Sequence, residues 1–134
     1  MVAFVVDNSV VVAWLYQGQA NAYTERALES SGTSTLQTSF MWPAEFANAA
    51  TVMVKRGILT DELGTAMIQM ADALGLLVDR TPVDLGALYQ LSRRFSLSAY
   101  DASYLELAMR LNIPLATRDT ALMRASQTLG LFLV

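Results

Sequence analysis

The stretch "FVVDNSVVVAWL", Phe4 to Leu15, sets one carboxylate, Asp7, between two apolar runs. A carboxylate buried among such neighbours is costly unless it is paired, hydrogen-bonded or bound to a metal. The simplest reading is local. A strand over Val2–Val6 ends at Asp7, and Asp7, Asn8 or Ser9 caps a helix beginning near Val10. What that acid does beyond capping depends on the rest of the chain.

The strand-then-helix alternation recurs. Strands are expected at Val2–Val6, Thr35–Thr38, Leu76–Val78, Pro114–Thr117 and Leu131–Val134. Helical periodicity covers Val10–Tyr16, Ala22–Ser30, Pro43–Lys55, Asp61–Leu74, Val83–Arg94, Ala99–Leu111 and Thr120–Thr128. Short apolar strands, most of them separated by amphipathic helices, predict an α/β fold with a mainly parallel central sheet of about five strands, flanked by about seven helices. No repeat, linker or low-complexity tract interrupts the 134 residues, so residues 1–134 read as one domain. Along Asp61–Leu74, the stripe Leu63, Ala66, Met67, Met70, Ala73 and Leu74 reads as core packing.

Composition removes several chemistries. With no cysteine there are no disulfides or thiolate metal sites, and a reducing cytoplasm is the expected compartment. Neither a basic leader nor an apolar run of membrane-spanning length is present in the sequence. The absence of histidine excludes a Ser–His–Asp triad, a histidine zinc site and paired-imidazole ribonuclease chemistry. Acid–base work then falls to carboxylates, Lys, Tyr or metal-activated water.

Four acids stand in similar places. Asp7 follows the first strand. In "IPLATRDTAL", Ile113 to Leu122, Thr117 and Asp119 follow the fourth. In "WPAEFANAATVMV", Pro43 opens a helix and Glu45 comes two residues later. In "SLSAYDASYLELAMRL", Ser98 and Asp101 have capping-box spacing. Each acid is accounted for singly as a cap or as a partner of the helix macrodipole. Jointly they say more, because helix N-termini that follow parallel strands gather at the carboxyl edge of the sheet, where ligands bind. Asp101 lies on the helix leading into the fourth strand, so order alone does not put it there. Converging carboxylates would repel and raise one another's pKa. Mg²⁺ or Mn²⁺, which prefer oxygen ligands, would relieve that repulsion.

"VVDNS", "WPAEFANA", "LSAYDASYLELA" and "LATRDTAL", in this order and spacing, resemble the four acidic motifs of the PIN domain, most closely those of the VapC-type ribonuclease toxins. The resemblance implies that Asp7, Glu45 and Asp101 are catalytic metal ligands and that Asp119 is the fourth, more variable acid. It places Ser9 and Thr117 in support within the acidic cluster. It implies hydrolysis of single-stranded or looped RNA with Mg²⁺ or Mn²⁺, a homodimer, and a cognate antitoxin protein that silences the enzyme. It also accounts for Asp101, whose helix aims its first turn at the same pocket in that fold.

Net charge is −3, from 12 acids and 9 bases, which at first disfavours RNA. With the four site acids set aside, eight acids face nine bases, and eight of those bases are Arg. Arg93, Arg94 and Arg118 are the phosphate-binding candidates; a solvated helix end is the other reading of each. Trp14, Trp42 and Tyr100 flank the acidic motifs, where base stacking competes with packing in the core or at a dimer contact, the better reading for both tryptophans. A phospho-acceptor receiver domain would need paired acids after the first strand and a Lys after the fifth, but Asn8 follows Asp7 and the only Lys is Lys55. A dehalogenase-type phosphatase would need an acid at position 9, which is Ser. The alternative from another class is a PIN-like RNA- or protein-binding module without catalysis.

Overall fold

The computed structural model describes residues 3–134. Strand β1 (Ala3–Val6) is a β-branched and aromatic segment in which Phe4, Val5 and Val6 are buried, as a central parallel strand requires. The predicted start at Val2 lies outside the described residues. Helix α1 (Asn8–Leu15) follows at once, and its Val10, Val11 and Val12 enter the core. A short 3-10 turn leads to α2 (Ala22–Ser31), which opens on a capping box between Asn21 and Thr24. Strand β2 (Thr35–Thr38) pairs in parallel with β1.

Helix α3 (Trp42–Lys55) carries Pro43 in its first turn, and α4 (Asp61–Ala73) packs against it. Strand β3 (Leu77–Val78) pairs with β2. Helices α5 (Leu85–Phe95) and α6 (Ala99–Leu111) return the chain across the molecule to β4 (Leu115–Ala116), which pairs with the opposite side of β1. Helix α7 (Thr120–Thr128) follows. The sheet order is β3-β2-β1-β4, and all of its pairings are parallel. The chain therefore travels outward from β1 through β2 to β3, then comes back to the far side of β1. That reversal puts the topological switch point between β1 and β4, and the crevice of such a sheet opens beyond the carboxyl ends of those two strands.

Two expectations are corrected. The sheet has four strands among the described residues, not about five. The segment expected as a strand at Leu131–Val134 makes one parallel bridge, from Leu115 to Phe132. Strand β4 is two residues long, and only Leu115 turns its N–H and C=O towards that segment, bonding Leu131 O and Leu133 N at 2.7 and 2.9 Å. A single residue cannot extend a ladder.

The buried face of α4 is also turned by about one residue. Gly64, Met67 and Ala71 are buried, whereas Leu63 and Met70, expected in the core, are half exposed. A Cβ at position 64 would stand 2.8 Å from Val54 Cγ2, so α4 meets α3 on its smallest face and not on its most apolar one. No helix among the described residues is long and apolar enough to cross a membrane.

Candidate active site

Asp7 is the first residue beyond β1 and the N-cap of α1, only 3% exposed. Its Oδ1 accepts from Ser9 Oγ at 2.7 Å and from the Val10 N–H at 3.1 Å, and its Oδ2 accepts from Thr117 Oγ1 at 2.5 Å. Burial pushes its pKa from 3.8 up to about 6; the three hydrogen bonds pull the other way, and the charge of Asp101 adds to the rise.

The long-range partner of the Asp7 carboxylate comes from the segment after β4. Thr117 is buried, and its Oγ1 also accepts from the Asp119 N–H at 3.0 Å. The Arg118 N–H donates to Ser9 Oγ at 3.0 Å, so the two strand ends are stitched together around the Asp7 carboxylate. Asp119 N-caps α7, with Oδ2 accepting from the Leu122 N–H at 2.8 Å.

Two helices complete the cluster. Glu45 lies in the first turn of α3, half-buried, and its Oε1 accepts from the phenol of Tyr104 at 2.8 Å. Burial raises the Glu45 pKa, the Tyr104 hydrogen bond opposes that rise, and Asp101 adds to it. Asp101 lies in the first turn of α6, which Ser98 caps by accepting the Asp101 N–H at 3.1 Å. Burial raises its pKa first and the charge of Asp119 second, with the Ser98 hydroxyl opposing. Asp101 is thus the acid that feels, or is felt by, each of the other three. The phenol of buried Tyr104 is also pushed up, by burial first and then by Glu45, Asp7 and Asp101, so it stays a hydrogen-bond donor.

The donor set is all hard oxygen, as Mg²⁺ and Mn²⁺ require. Among the described residues, no group of three or more His, Cys, Asp or Glu side chains stands in position to hold a metal ion. Mg²⁺ does not need one, since it keeps several waters and uses one or two carboxylates with substrate phosphate. The carboxylates fit an ion of that kind.

The basic candidates fall in different places. Arg118 is exposed at the strand end beside Ser9. Arg93 and Arg94 are in the last turn of α5, both exposed. Arg94 lies over the Phe95 ring, 4.6 Å from its centroid, and with Arg124 of α7 lines a cavity of about 350 Å³. Trp42 is buried and tilted against Phe46, and the indole of Trp14 donates to Thr24 O at 2.8 Å, so both tryptophans pack. Tyr100 is 59% exposed beside Asp101.

Sequence reasoning did not single out Tyr104 or Arg124. Tyr104 had a signal: it lies three residues after Asp101 and so shares its helix face. Arg124 had none, because its pairing with Arg94 depends on how α7 packs.

The PIN domain family matches residues 4–127. Among solved structures, PAE2754 of Pyrobaculum aerophilum is 21% identical with a TM-score of 0.70, over 92% of this chain and 84% of that one. FitAcB of Neisseria gonorrhoeae is 19% identical with a TM-score of 0.63, over 92% of this chain and 93% of that one. At those identities the likeness is one of fold. None of the curated proteins matches the chain.

Proposed function

Because the chain belongs to the PIN domain family, whose members are generally nucleases that typically use divalent metal ions, we propose that it is a Mg²⁺- or Mn²⁺-dependent endoribonuclease, the VapC-type toxin of a toxin–antitoxin pair. One observation carries this reading: Asp7, Glu45 and Asp119 are all coupled electrostatically to Asp101 at the carboxyl edge of the sheet. Such a cluster is unfavourable by itself and has a physical rationale when a cation is there to offset it.

One or two of Asp7, Glu45, Asp101 and Asp119 would hold the ion directly, and the others through its waters. When bound, it would supply a water acidic enough to act near neutral pH and would offset charge on the phosphate. The remaining steps belong to the chain. Ser9, Thr117 and the Val10 N–H fix the Asp7 carboxylate, and Tyr104 fixes that of Glu45. Glu45 or Asp101, whichever the ion leaves free, would take the proton of the attacking water. Water oxygen adds to phosphorus, the bond to the 3′ oxygen breaks, and that oxygen takes a proton from solvent water, giving 5′-phosphate and 3′-hydroxyl ends; the carboxylic acid then returns its proton to solvent. Arg118, Arg93 and Arg94, together with Arg124, are the candidates for contacting the RNA backbone. The homodimer and the cognate antitoxin rest on the resemblance of the four motifs.

A second reading, a binding module without catalysis, draws on the absence of a ready-made cage of three ligands among the described residues. One experiment separates the two: incubation of the protein with a panel of single-stranded and hairpin RNAs, with Mn²⁺ or Mg²⁺, with EDTA, and with Asp101→Ala. Cleavage abolished by EDTA and by the substitution is expected. RNA binding without turnover in every metal condition would favour the binding module.

A further inference from the structure

We infer that Tyr104 is a positioning residue that acts through Glu45, fixing the α3 carboxylate against the α6 helix that carries Asp101. The inference rests on the metal-dependent reading above and adds a residue to it.

Glu45 and Asp101 lie on different helices, so their separation is set by how α3 and α6 are registered, and no local rule fixes it. Two successive residues of α6 make that registration. Tyr104, 1% exposed, donates its phenol O–H to Glu45 Oε1 at 2.8 Å, and it is the hydrogen-bond partner of the Glu45 carboxylate among the described residues. Ser103, 2% exposed, lies 2.6 Å from Ser39 Oγ and donates to Tyr100 O at 2.6 Å. With the Ser103 proton committed to Tyr100 O, Ser39 is the donor of the pair. Ser39 Oγ in turn accepts from the Met41 N–H at 3.0 Å, and Ser39 O accepts from the Trp42 N–H. A directed chain thus runs from the start of α3 through Ser39 and Ser103 to the first turn of α6. Tyr104 repeats the link on the carboxylate itself.

A buried phenol is an economical device for this. It has one O–H to give, its ring is immobilised by packing, and it leaves the second carboxylate oxygen to other partners. Partners of this kind, one step removed from the ion, typically change metal affinity or activity by tenfold or more when deleted.

The test is a double-substitution cycle read by Mn²⁺ calorimetry, with cleavage and metal-free melting alongside. Tyr104→Phe keeps the ring and removes only the hydroxyl. The expected result is about tenfold weaker Mn²⁺ binding and a lower kcat at unchanged KM, with a metal-free protein that still unfolds cooperatively and loses no more stability than one hydrogen bond to a charged group supplies. In a Glu45→Gln background, Tyr104→Phe should add nothing to the loss of Mn²⁺ affinity, because there is no longer a carboxylate to position. Equal Mn²⁺ affinity in wild type and Tyr104→Phe would overturn the inference and leave the nuclease reading standing. So would an effect of the same size in both backgrounds, or a Tyr104→Phe protein that fails to fold, since each marks a purely structural role. A wild-type protein that binds no Mn²⁺ would overturn the metal-dependent reading, and the inference with it.

Discussion

Thr117 Oγ1 donates to Asp7 Oδ2 across 110 residues of sequence and accepts the Asp119 N–H in return. One hydroxyl therefore joins the ends of β1 and β4 and orients the turn that carries the fourth acid. Thr117→Val keeps the shape and removes the hydroxyl. A hydrogen bond to a charged group contributes about 1.5–3 kcal/mol, and a loss of that order is expected in urea unfolding at pH 8, where Asp7 is ionised. The loss should shrink at pH 5, where Asp7 is largely protonated. An equal loss at both pH values would contradict the assignment.

The raised pKa of Asp7 fixes the sign of a pH effect. A carboxyl that titrates at 3.8 unfolded and about 6 folded binds its proton more tightly in the native state. The metal-free fold therefore carries no penalty from Asp7 below pH 3.8, a growing one between 3.8 and 6, and the full one above, on the order of 3 kcal/mol. Metal-free Asp7→Asn should be more stable than wild type at pH 7.5, with most of that advantage gone at pH 4. Melting curves across this range check it.

Asp101 raises the pKa of both Asp7 and Glu45. Asp101→Asn should lower both titrations at once, as read by carboxyl carbon shifts in NMR, and should raise the metal-free melting temperature. The same substitution should abolish the stabilisation that Mn²⁺ gives the wild type. If neither titration moves, Asp101 is not the common neighbour of the other two.

Arg94 and Arg124 line one cavity without an acidic residue among its walls. If RNA phosphates pass there, Arg94→Ala with Arg124→Ala should weaken binding to all sequences alike. The dependence of log K on log salt should become shallower by about 1.4, at roughly 0.7 per phosphate contact on a single strand. Filter binding at several salt concentrations, in a cleavage-deficient Asp101→Ala background, measures that slope.

Arg110 bonds Asp79, just beyond β3, and Glu106 on its own helix, at 2.5 and 2.8 Å. This clamp lies on the far side of α6 from the acids in sequence register and concerns stability alone. Arg110→Ala should cost about 1 kcal/mol at low salt and less at high salt, with Mn²⁺ affinity unchanged.

What the sequence determined by itself was local. Asp7, Asp119 and Ser98 cap helices as their spacing predicts, because a cap is a contact within four residues and the chain's own geometry sets it. The seven α-helices among the described residues and the parallel character of the sheet were likewise legible, since periodicity records which faces are buried. Boundaries moved where a cap intervened: α5 begins after Asp84, whose Oδ2 accepts the Ala87 N–H, and not at Val83. Periodicity carries no record of which strand lies beside which. Only the tertiary structure set β4 against β1, brought Thr117 onto Asp7 and Tyr104 onto Glu45, reduced the fifth strand to one bridge, and turned α4 onto Gly64. Those contacts join residues far apart in the chain, and their partners are chosen by how whole elements pack, a choice that no short stretch of sequence encodes.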